Sequence, residues 1–165
     1  MAQITFRGSP VQTSGSLPAV GSKIPAFTLT RADLSDAVLA DFAGKRLILN
    51  IFPSIDTGVC ATSVRKFNAE AGAAEDTVVL CISRDLPFAL NRFCGAEGLS
   101  HVVSLSDFRT GAFGREFGCA MIDGKLAGLL SRAVVVVGSD GVVRYAEQVP
   151  EIAQEPDYAA ALAAR

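Results

Sequence analysis

The chain has no tryptophan, only two tyrosines and a single histidine among its 165 residues. It also lacks an excess of either charge, since 15 Lys and Arg stand against 17 Asp and Glu for a net charge of -2. Nothing in this balance points to nucleic acid or an anionic membrane surface as a partner. No apolar run approaches the roughly 20 residues that cross a bilayer, and the first residues contain no signal core, so we expect a cytoplasmic protein.

Cysteine is present, but not in a metal-binding arrangement. The four cysteines are Cys60, Cys81, Cys94 and Cys119, and no two of them form a Cys-x-x-Cys pair. Because His101 is the single histidine, the sequence argues against a structural zinc site. In a reducing cytosol we expect such thiols to be free or redox-active rather than a disulfide framework.

What the chain does have is the composition of a globular protein. Half of its residues are hydrophobic and 19% are charged, which is typical of a chain that buries a core rather than of a disordered one. A length of 165 residues suits one domain. We therefore predict a single domain over 1–165, in which 1–16 form an N-terminal hairpin extension around Gly8-Ser9-Pro10.

The apolar runs and turn signals predict a regular alternation of strands and helices. In chain order we predict hairpin strands at 4–6 and 11–13, a short strand at 27–30, strand 46–52, helix 58–73, strand 77–83, helix 87–94, strand 102–106, helix 110–117, paired strands 132–138 and 142–148, and helix 155–164. Continuous apolar strands separated by helices indicate a sheet covered on both faces, and the late hairpin makes that sheet mixed. This order is similar to a thioredoxin-like α/β fold, with a mixed central sheet flanked by helices and an added N-terminal β-hairpin.

The most informative segment is PSIDTGVC at 53–60, which follows an apolar strand and enters a helix. Thr57 is a good N-cap candidate, so Cys60 falls in the first turn, where free N–H groups and the helix dipole favour negative charge. Such positions lower the pKa of a thiol. At pH 7 a thiol with a pKa of about 8.5 is about 3% thiolate, whereas one with a pKa of about 6 is about 90% thiolate.

The same cysteine also fits a core stripe. Helical spacing aligns Cys60, Val64, Phe67 and Ala71 on one face. Buried cysteines often serve as small core residues, so spacing alone leaves a reactive thiolate and a core residue equally open. By the same general habits, Arg132 taken alone is an ordinary surface arginine and Cys94 a buried helix residue.

The run NIFPSIDTGVC, from Asn50 to Cys60, resembles the active-site segment of the bacterial thiol peroxidase branch of the peroxiredoxins. Pro53, Thr57 and Cys60 meet the general pattern Pro-x-x-x-Thr-x-x-Cys. Further matching segments are VVLCIS at 78–83, DLPFA at 85–89, RFCGAEGL at 92–99, RAVVVV at 132–137 and EPDY at 155–158. The resemblance covers nearly the whole chain and favours the functional interpretation of Cys60.

The resemblance implies a role for each matching residue. Cys60 would be the peroxidatic cysteine, whose thiolate attacks a hydroperoxide and becomes a sulfenic acid. Thr57 would hydrogen-bond the sulfur and the peroxide, Pro53 would shield the sulfur from water, and Arg132 would favour the thiolate. Cys94 would be the resolving cysteine, and thioredoxin would reduce the resulting intrasubunit Cys60–Cys94 disulfide. The resemblance also implies a homodimer and no metal, haem or flavin cofactor.

The remaining features carry smaller expectations. Gly95 is predicted to end the second helix, so that Cys94 would lie at a helix C-terminus, where the dipole raises the pKa of a thiol. Cys81 is expected in the core of strand 77–83 as an inert thiol. Cys119 has no assigned role, and His101 is expected at the surface.

Three other functions compete with a peroxidase. The missing Cys-x-x-Cys weakens a disulfide reductase on the same fold. A peroxide-sensing relay protein would use the same Cys60 and Cys94 chemistry to signal to a partner, and the sequence does not separate it from an enzyme. A binding module with inert thiols is the third. Sustained peroxide consumption with thioredoxin distinguishes the enzyme from the relay, and rapid loss of one thiol at Cys60 under equimolar hydrogen peroxide would rule out the binding module.

Overall fold

The computed structural model describes residues 1–71 and 74–165. Its elements are β1 (Gln3–Phe6), β2 (Ser9–Gln12), β3 (Thr28–Arg31), β4 (Asp36–Val38), β5 (Arg46–Ile51), α1 (Gly58–Ala71), β6 (Thr77–Ser83), α2 (Pro87–Glu97), β7 (Val102–Ser106), α3 (Ala112–Glu116), β8 (Ala133–Val137), β9 (Val143–Gln148) and α4 (Tyr158–Ala163). A single 3-10 turn, Leu39–Phe42, follows β4. The last two residues predicted for the first long helix, 72–73, lie outside the described residues.

Seven strands form one mixed sheet in the order β4-β3-β7-β6-β5-β8-β9. The three central strands β7, β6 and β5 pair in parallel, and β8 and β9 continue the sheet in antiparallel pairs on one side. β3 and β4 complete the other side, also antiparallel, while β1 and β2 form a separate hairpin. The predicted thioredoxin-like α/β fold with a mixed sheet and an N-terminal hairpin is therefore confirmed.

The residues of β5 alternate between two cores. Leu47, Leu49 and Ile51 join the apolar cluster on one face of the sheet, together with α3 and the 3-10 turn. Ile48, and Phe52 directly after the strand, join the cluster on the other face, which α1, α2 and α4 cover. Each such side chain, when fully buried, contributes about 1.5–3 kcal/mol relative to exposure. This double coverage explains why the central strands are continuously apolar.

The N-terminal hairpin is pinned beside the C-terminal edge of the sheet by one carboxylate. Glu151 accepts hydrogen bonds from the Thr5 hydroxyl at 2.5 Å and from the main-chain N–H groups of Arg7 at 2.8 Å and Gly8 at 3.2 Å. These donors lower the pKa of Glu151 to about 2. The turn itself is Arg7-Gly8, with φ values of 50° and 81°, the left-handed pair typical of two-residue hairpins. The turn predicted around Gly8-Ser9-Pro10 is thus placed too late, and Pro10 lies in β2.

The second helix ends later than predicted. α2 continues through Gly95 to Glu97, and Gly98 ends it with a left-handed φ of 66°. The N–H of Leu99 then donates to the carbonyl of Cys94 at 3.0 Å. Both glycines can end a helix, but Gly98 alone adopts the left-handed conformation that the terminus requires. Cys94 therefore lies in the last turn of α2 instead of at its final residue.

Two shorter helices begin later than predicted for identifiable reasons. Gly111 precedes α3 with a left-handed φ of 65°, which keeps residues 110–111 outside the helix. Asp157 caps α4 by accepting the N–H of Ala160 at 3.0 Å. Within residues 1–71 and 74–165, no helix is long and apolar enough to span a membrane.

Candidate active site

The segment between β5 and α1 makes a tight turn over the sheet. Pro53 is buried and ends the strand, since proline has no N–H for the ladder. Thr57 occupies the predicted N-cap position, because its carbonyl accepts the N–H of Ala61 at 3.0 Å. The Thr57 hydroxyl donates to the carbonyl of Ser54 at 3.0 Å and so closes the turn. This turn delivers Cys60 into the first turn of α1.

Cys60 is fully buried and lies against an arginine from a distant part of the chain. Its Sγ accepts a hydrogen bond from Nη2 of Arg132 at 3.2 Å, across 72 residues of sequence. The side chain of Val64, one turn further along α1, joins the same apolar cluster as Cys60. The structure therefore agrees with the prediction of a core residue, because the sulfur is buried, and with the prediction of a reactive thiolate, because the sulfur lies beside a cation.

Arg132 is 2% exposed, so its interpretation as a surface arginine is wrong. Its Nε donates to the carbonyl of Ile152 at 2.8 Å, which fixes the plane of the guanidinium. Its Nη1 is buried and finds no hydrogen-bond partner among the described residues. Among the described residues, no carboxylate forms an ion pair with Arg132. A buried cation without a counter-charge is costly, and a Cys60 thiolate is the group placed to supply one.

A cavity of about 260 Å³ opens beside the guanidinium. Pro53, Thr57 and Arg132 line it, together with apolar side chains from elements remote in sequence. Those remote apolar walls come from Phe6, Leu126, Leu129 and Ile152, and Val59 of α1 lies beside them. Sequence reasoning missed the contribution of the hairpin and of the loop at 126–129, because only the tertiary fold brings them here. A larger cavity of about 410 Å³ beside β3 and α3 contains none of the predicted site residues.

Cys94 lies in a different environment. It is half-buried, and its Sγ is 3.1 Å from the Ser104 hydroxyl on β7. Arg132 directly precedes β8, and three strand spacings, about 14 Å of main-chain separation, divide β7 from β8 in the sheet. All four thiols are free. Because each sulfur lies against its own partner and the two are not bonded, both must leave these contacts before they can join.

The other two cysteines are core residues. Cys81 is 1% exposed in β6, as predicted, and burial raises its pKa to about 12, with nearby Cys94 adding to the rise. Cys119 is fully buried between α3 and β8, and burial raises the pKa of this thiol as well. His101 is exposed, as predicted. Among the residues that the structure describes, no three His, Cys, Asp or Glu side chains form a group that could hold a metal ion.

Known proteins resemble this chain over its full length. The Redoxin family profile matches residues 19–162. The thiol peroxidases of Mycobacterium tuberculosis and Mycobacterium bovis are 60% identical over 164 residues, covering 99% of this chain and 98% of theirs.

Two solved structures extend the comparison. A peroxiredoxin-like protein from Aquifex aeolicus superposes with a TM-score of 0.93 at 32% identity, covering 99% of this chain and 95% of its own. A thiol peroxidase from Chromobacterium violaceum has a TM-score of 0.89 at 22% identity, covering 96% of this chain and 91% of its own, and supports the fold. The chain therefore belongs to the Redoxin family, as a member of its thiol peroxidase branch.

Proposed function

We propose that the protein is a thiol-specific peroxidase, an antioxidant oxidoreductase that reduces hydrogen peroxide and organic hydroperoxides to water and alcohols. One observation carries the proposal: the Cys60 Sγ lies in the first turn of α1 and 3.2 Å from the guanidinium of Arg132, which lines a small cavity. Its full-length mycobacterial relatives carry the name thiol peroxidase.

The first step is attack of the Cys60 thiolate on the terminal oxygen of the hydroperoxide. The O–O bond breaks, the other oxygen leaves and takes a proton as alcohol or water, and Cys60 becomes a sulfenic acid. Arg132 would hold the thiolate with Nη2 and offer the unpartnered Nη1 to a peroxide oxygen as charge develops. This use of Nη1 would account for a buried donor that has no hydrogen-bond partner among the described residues.

Thr57 and Pro53 would shape the same step. The Thr57 hydroxyl donates its hydrogen to the carbonyl of Ser54, so its lone pairs remain free. Because Thr57 lines the cavity, this oxygen would accept a hydrogen bond from the O–H of an incoming hydroperoxide. Pro53 lines the cavity without an N–H that could compete for the sulfur. Together they would orient the substrate and limit water near the thiolate.

The second step is resolution by Cys94. Its thiol attacks the Cys60 sulfenic acid, a disulfide forms and water leaves; thioredoxin then returns both thiols by exchange. The partial exposure of Cys94 supports this assignment. Cys81 and Cys119 are less suitable, because each is at most 1% exposed and has a raised pKa.

We also propose a cytoplasmic homodimer. Four free thiols suit a reducing compartment. The apolar side chains of Leu86 and Phe88, at the start of α2, are 52% and 64% exposed, which favours a protein partner at that surface. The mass of the reduced protein in solution, measured by light scattering, tests the dimer.

The test of function is turnover. Purified protein should consume hydrogen peroxide continuously in the presence of thioredoxin, thioredoxin reductase and NADPH. Cys60→Ser should abolish consumption, because an alcohol cannot form a sulfenic acid. A single stoichiometric oxidation without turnover would instead indicate a peroxide-sensing relay.

A further inference from the structure

Asp85 joins the two loops that precede the cysteine-bearing helices. It lies between β6 and α2, two residues before the first residue of α2. Its Oδ1 accepts the Ser54 hydroxyl at 2.7 Å, and its Oδ2 accepts the Ile55 N–H at 2.7 Å and the Ser83 hydroxyl at 2.6 Å. One carboxylate thus fastens the loop that leads to Cys60 onto the loop that leads to the helix of Cys94.

These hydrogen bonds are better protected from solvent than the two ion pairs that join the loop and helix of Cys60 to α2. The Asp56–Arg92 pair, at 3.1 Å, has both side chains more than 60% exposed, and Arg65–Glu97, at 2.9 Å, is also at the surface. Exposed ion pairs contribute little. Asp85 is half-buried, and Ile55, whose N–H it accepts, is 2% exposed. Loss of the carboxylate would leave that N–H without its acceptor.

We propose that Asp85 is a positioning residue that holds the dithiol conformation closed and sets the rate at which Cys60 and Cys94 come together. The inference rests on the proposed function. In the resolution step the Cys94 thiol displaces water from the Cys60 sulfenic acid, and the loops must part before the sulfurs can meet. While the two bonds that Asp85 accepts from Ser54 and Ile55 hold, the sulfenic acid persists and remains available to a second peroxide, which oxidises it to sulfinic acid with release of water or alcohol.

The geometry predicts an ordered series of variants. Asp85→Ala removes all three acceptor contacts. Asp85→Asn keeps an oxygen for the Ile55 N–H and the Ser83 hydroxyl, while its NH₂ faces the Ser54 hydroxyl, which can reverse and accept. The asparagine variant should therefore behave between wild type and alanine. Asp41→Ala is a matched control, since that carboxylate accepts the Val38 N–H at 3.0 Å and pairs with Arg31 away from both cysteines.

Rapid quenching after a stoichiometric pulse of peroxide, followed by thiol trapping and mass spectrometry of Cys60 and Cys94, separates attack from resolution. In Asp85→Ala we expect resolution to accelerate about tenfold or more, the factor that follows from losing hydrogen bonds to a charged group. Attack should stay within about threefold, because the Cys60–Arg132 contact does not involve Asp85. The peroxide concentration that overoxidises half of the protein should rise by the same factor as resolution. Asp41→Ala should match wild type in all three measurements.

Diamide provides a second measurement that needs no peroxidase activity. It takes two electrons and two protons from the thiols, is reduced to the hydrazine, and leaves the Cys60–Cys94 disulfide. Asp85→Ala should form this disulfide faster than wild type even if the protein consumed no peroxide, in which case the proposed function alone would fail. Equal rates of disulfide formation in Asp85→Ala and wild type, with peroxide or diamide, would overturn the role of Asp85, as would a resolution step slowed together with attack.

Discussion

Replacing Arg132 with methionine removes the guanidinium while retaining most of the apolar stem. Two contributions to peroxide attack should disappear. The first is the charge-assisted hydrogen bond from Nη2 to Cys60, at 3.2 Å between two buried groups, and such bonds contribute about 1.5–3 kcal/mol, or roughly 10- to 150-fold in rate. The second is the unpartnered Nη1, which would act like an oxyanion-hole donor, and loss of one such donor typically costs about 10²–10³-fold.

Because neighbouring effects are not additive, the two factors do not simply multiply, and we expect the second-order rate constant for hydrogen peroxide to fall by about 10²–10³-fold, the larger of the two contributions. The assay is loss of the Cys60 thiol in a Cys94→Ser background, so that attack is observed without resolution. The rate constant of Arg132→Lys should lie between those of wild type and Arg132→Met. An ammonium keeps the positive charge but cannot contact Ile152, Cys60 and the substrate at once.

Arg144→Met provides the matched control. Arg144 makes an exposed pair with Asp140 at 2.7 Å, remote from the cavity, and its loss should leave attack unchanged. Urea unfolding should show that Arg132→Met remains folded at the assay temperature. A folded Arg132→Met that reacts within about tenfold of wild type would refute the reasoning, because the contribution of Nη1 could then not have its stated size.

Three further predictions test the remaining parts of the site and fold. Cys94→Ser should complete one rapid turnover, fail to recycle with thioredoxin and accumulate sulfinic acid, as read by mass spectrometry, whereas Cys119→Ser should cycle normally. The lowered pKa of Glu151 means that its carboxylate stabilises the folded state above the ordinary pKa of 4.5, and that this contribution is lost as pH falls toward about 2. The hydrogen-exchange protection factors of the hairpin amides, taken relative to intrinsic exchange at each pH, should fall over that range in wild type and stay constant there in Glu151→Gln. Phe67→Ala should lower the free energy of unfolding by about 3–5 kcal/mol in urea titrations, because the ring is fully buried and packs edge-on against Tyr158 at 5.3 Å; a loss below about 1 kcal/mol would contradict that packing.

The sequence predicted the central sheet well because β5, β6 and β8 are buried on both faces. Full burial produces the continuous apolar runs that were used to find these strands. β4 was missed because it is three residues long and only Ala37 is buried. Helix ends were less accurate for a local reason: residues such as Gly95 and Gly98 are chemically identical, and which one turns left-handed depends on contacts that close the helix end.

The candidate site likewise contains residues that a local sequence pattern identifies and residues that only the tertiary fold brings together. Thr57, Pro53 and Cys60 come from one segment, so a local pattern could identify them. The burial of Arg132 could not be read locally, because a charged side chain is buried only where distant groups receive it, here Cys60 and the carbonyl of Ile152. The hairpin wall depends in the same way on Glu151, which contacts Thr5 across 146 residues of sequence.

In the proposed mechanism, the burial that favours attack by Cys60 also opposes resolution by Cys94. A sulfur with no solvent exposure beside a guanidinium gains from the low dielectric, since electrostatic interactions strengthen as water is excluded. The same enclosure keeps the Cys94 thiol from reaching the Cys60 sulfur, and Cys94 contacts Ser104 on β7 instead. A protein that uses both thiols therefore needs a closed state that forms readily and a way to leave it within each cycle. Holding the loops with a few hydrogen bonds to a half-buried carboxylate meets both needs, because such bonds can be replaced by water, whereas core packing could not be released without disrupting the fold.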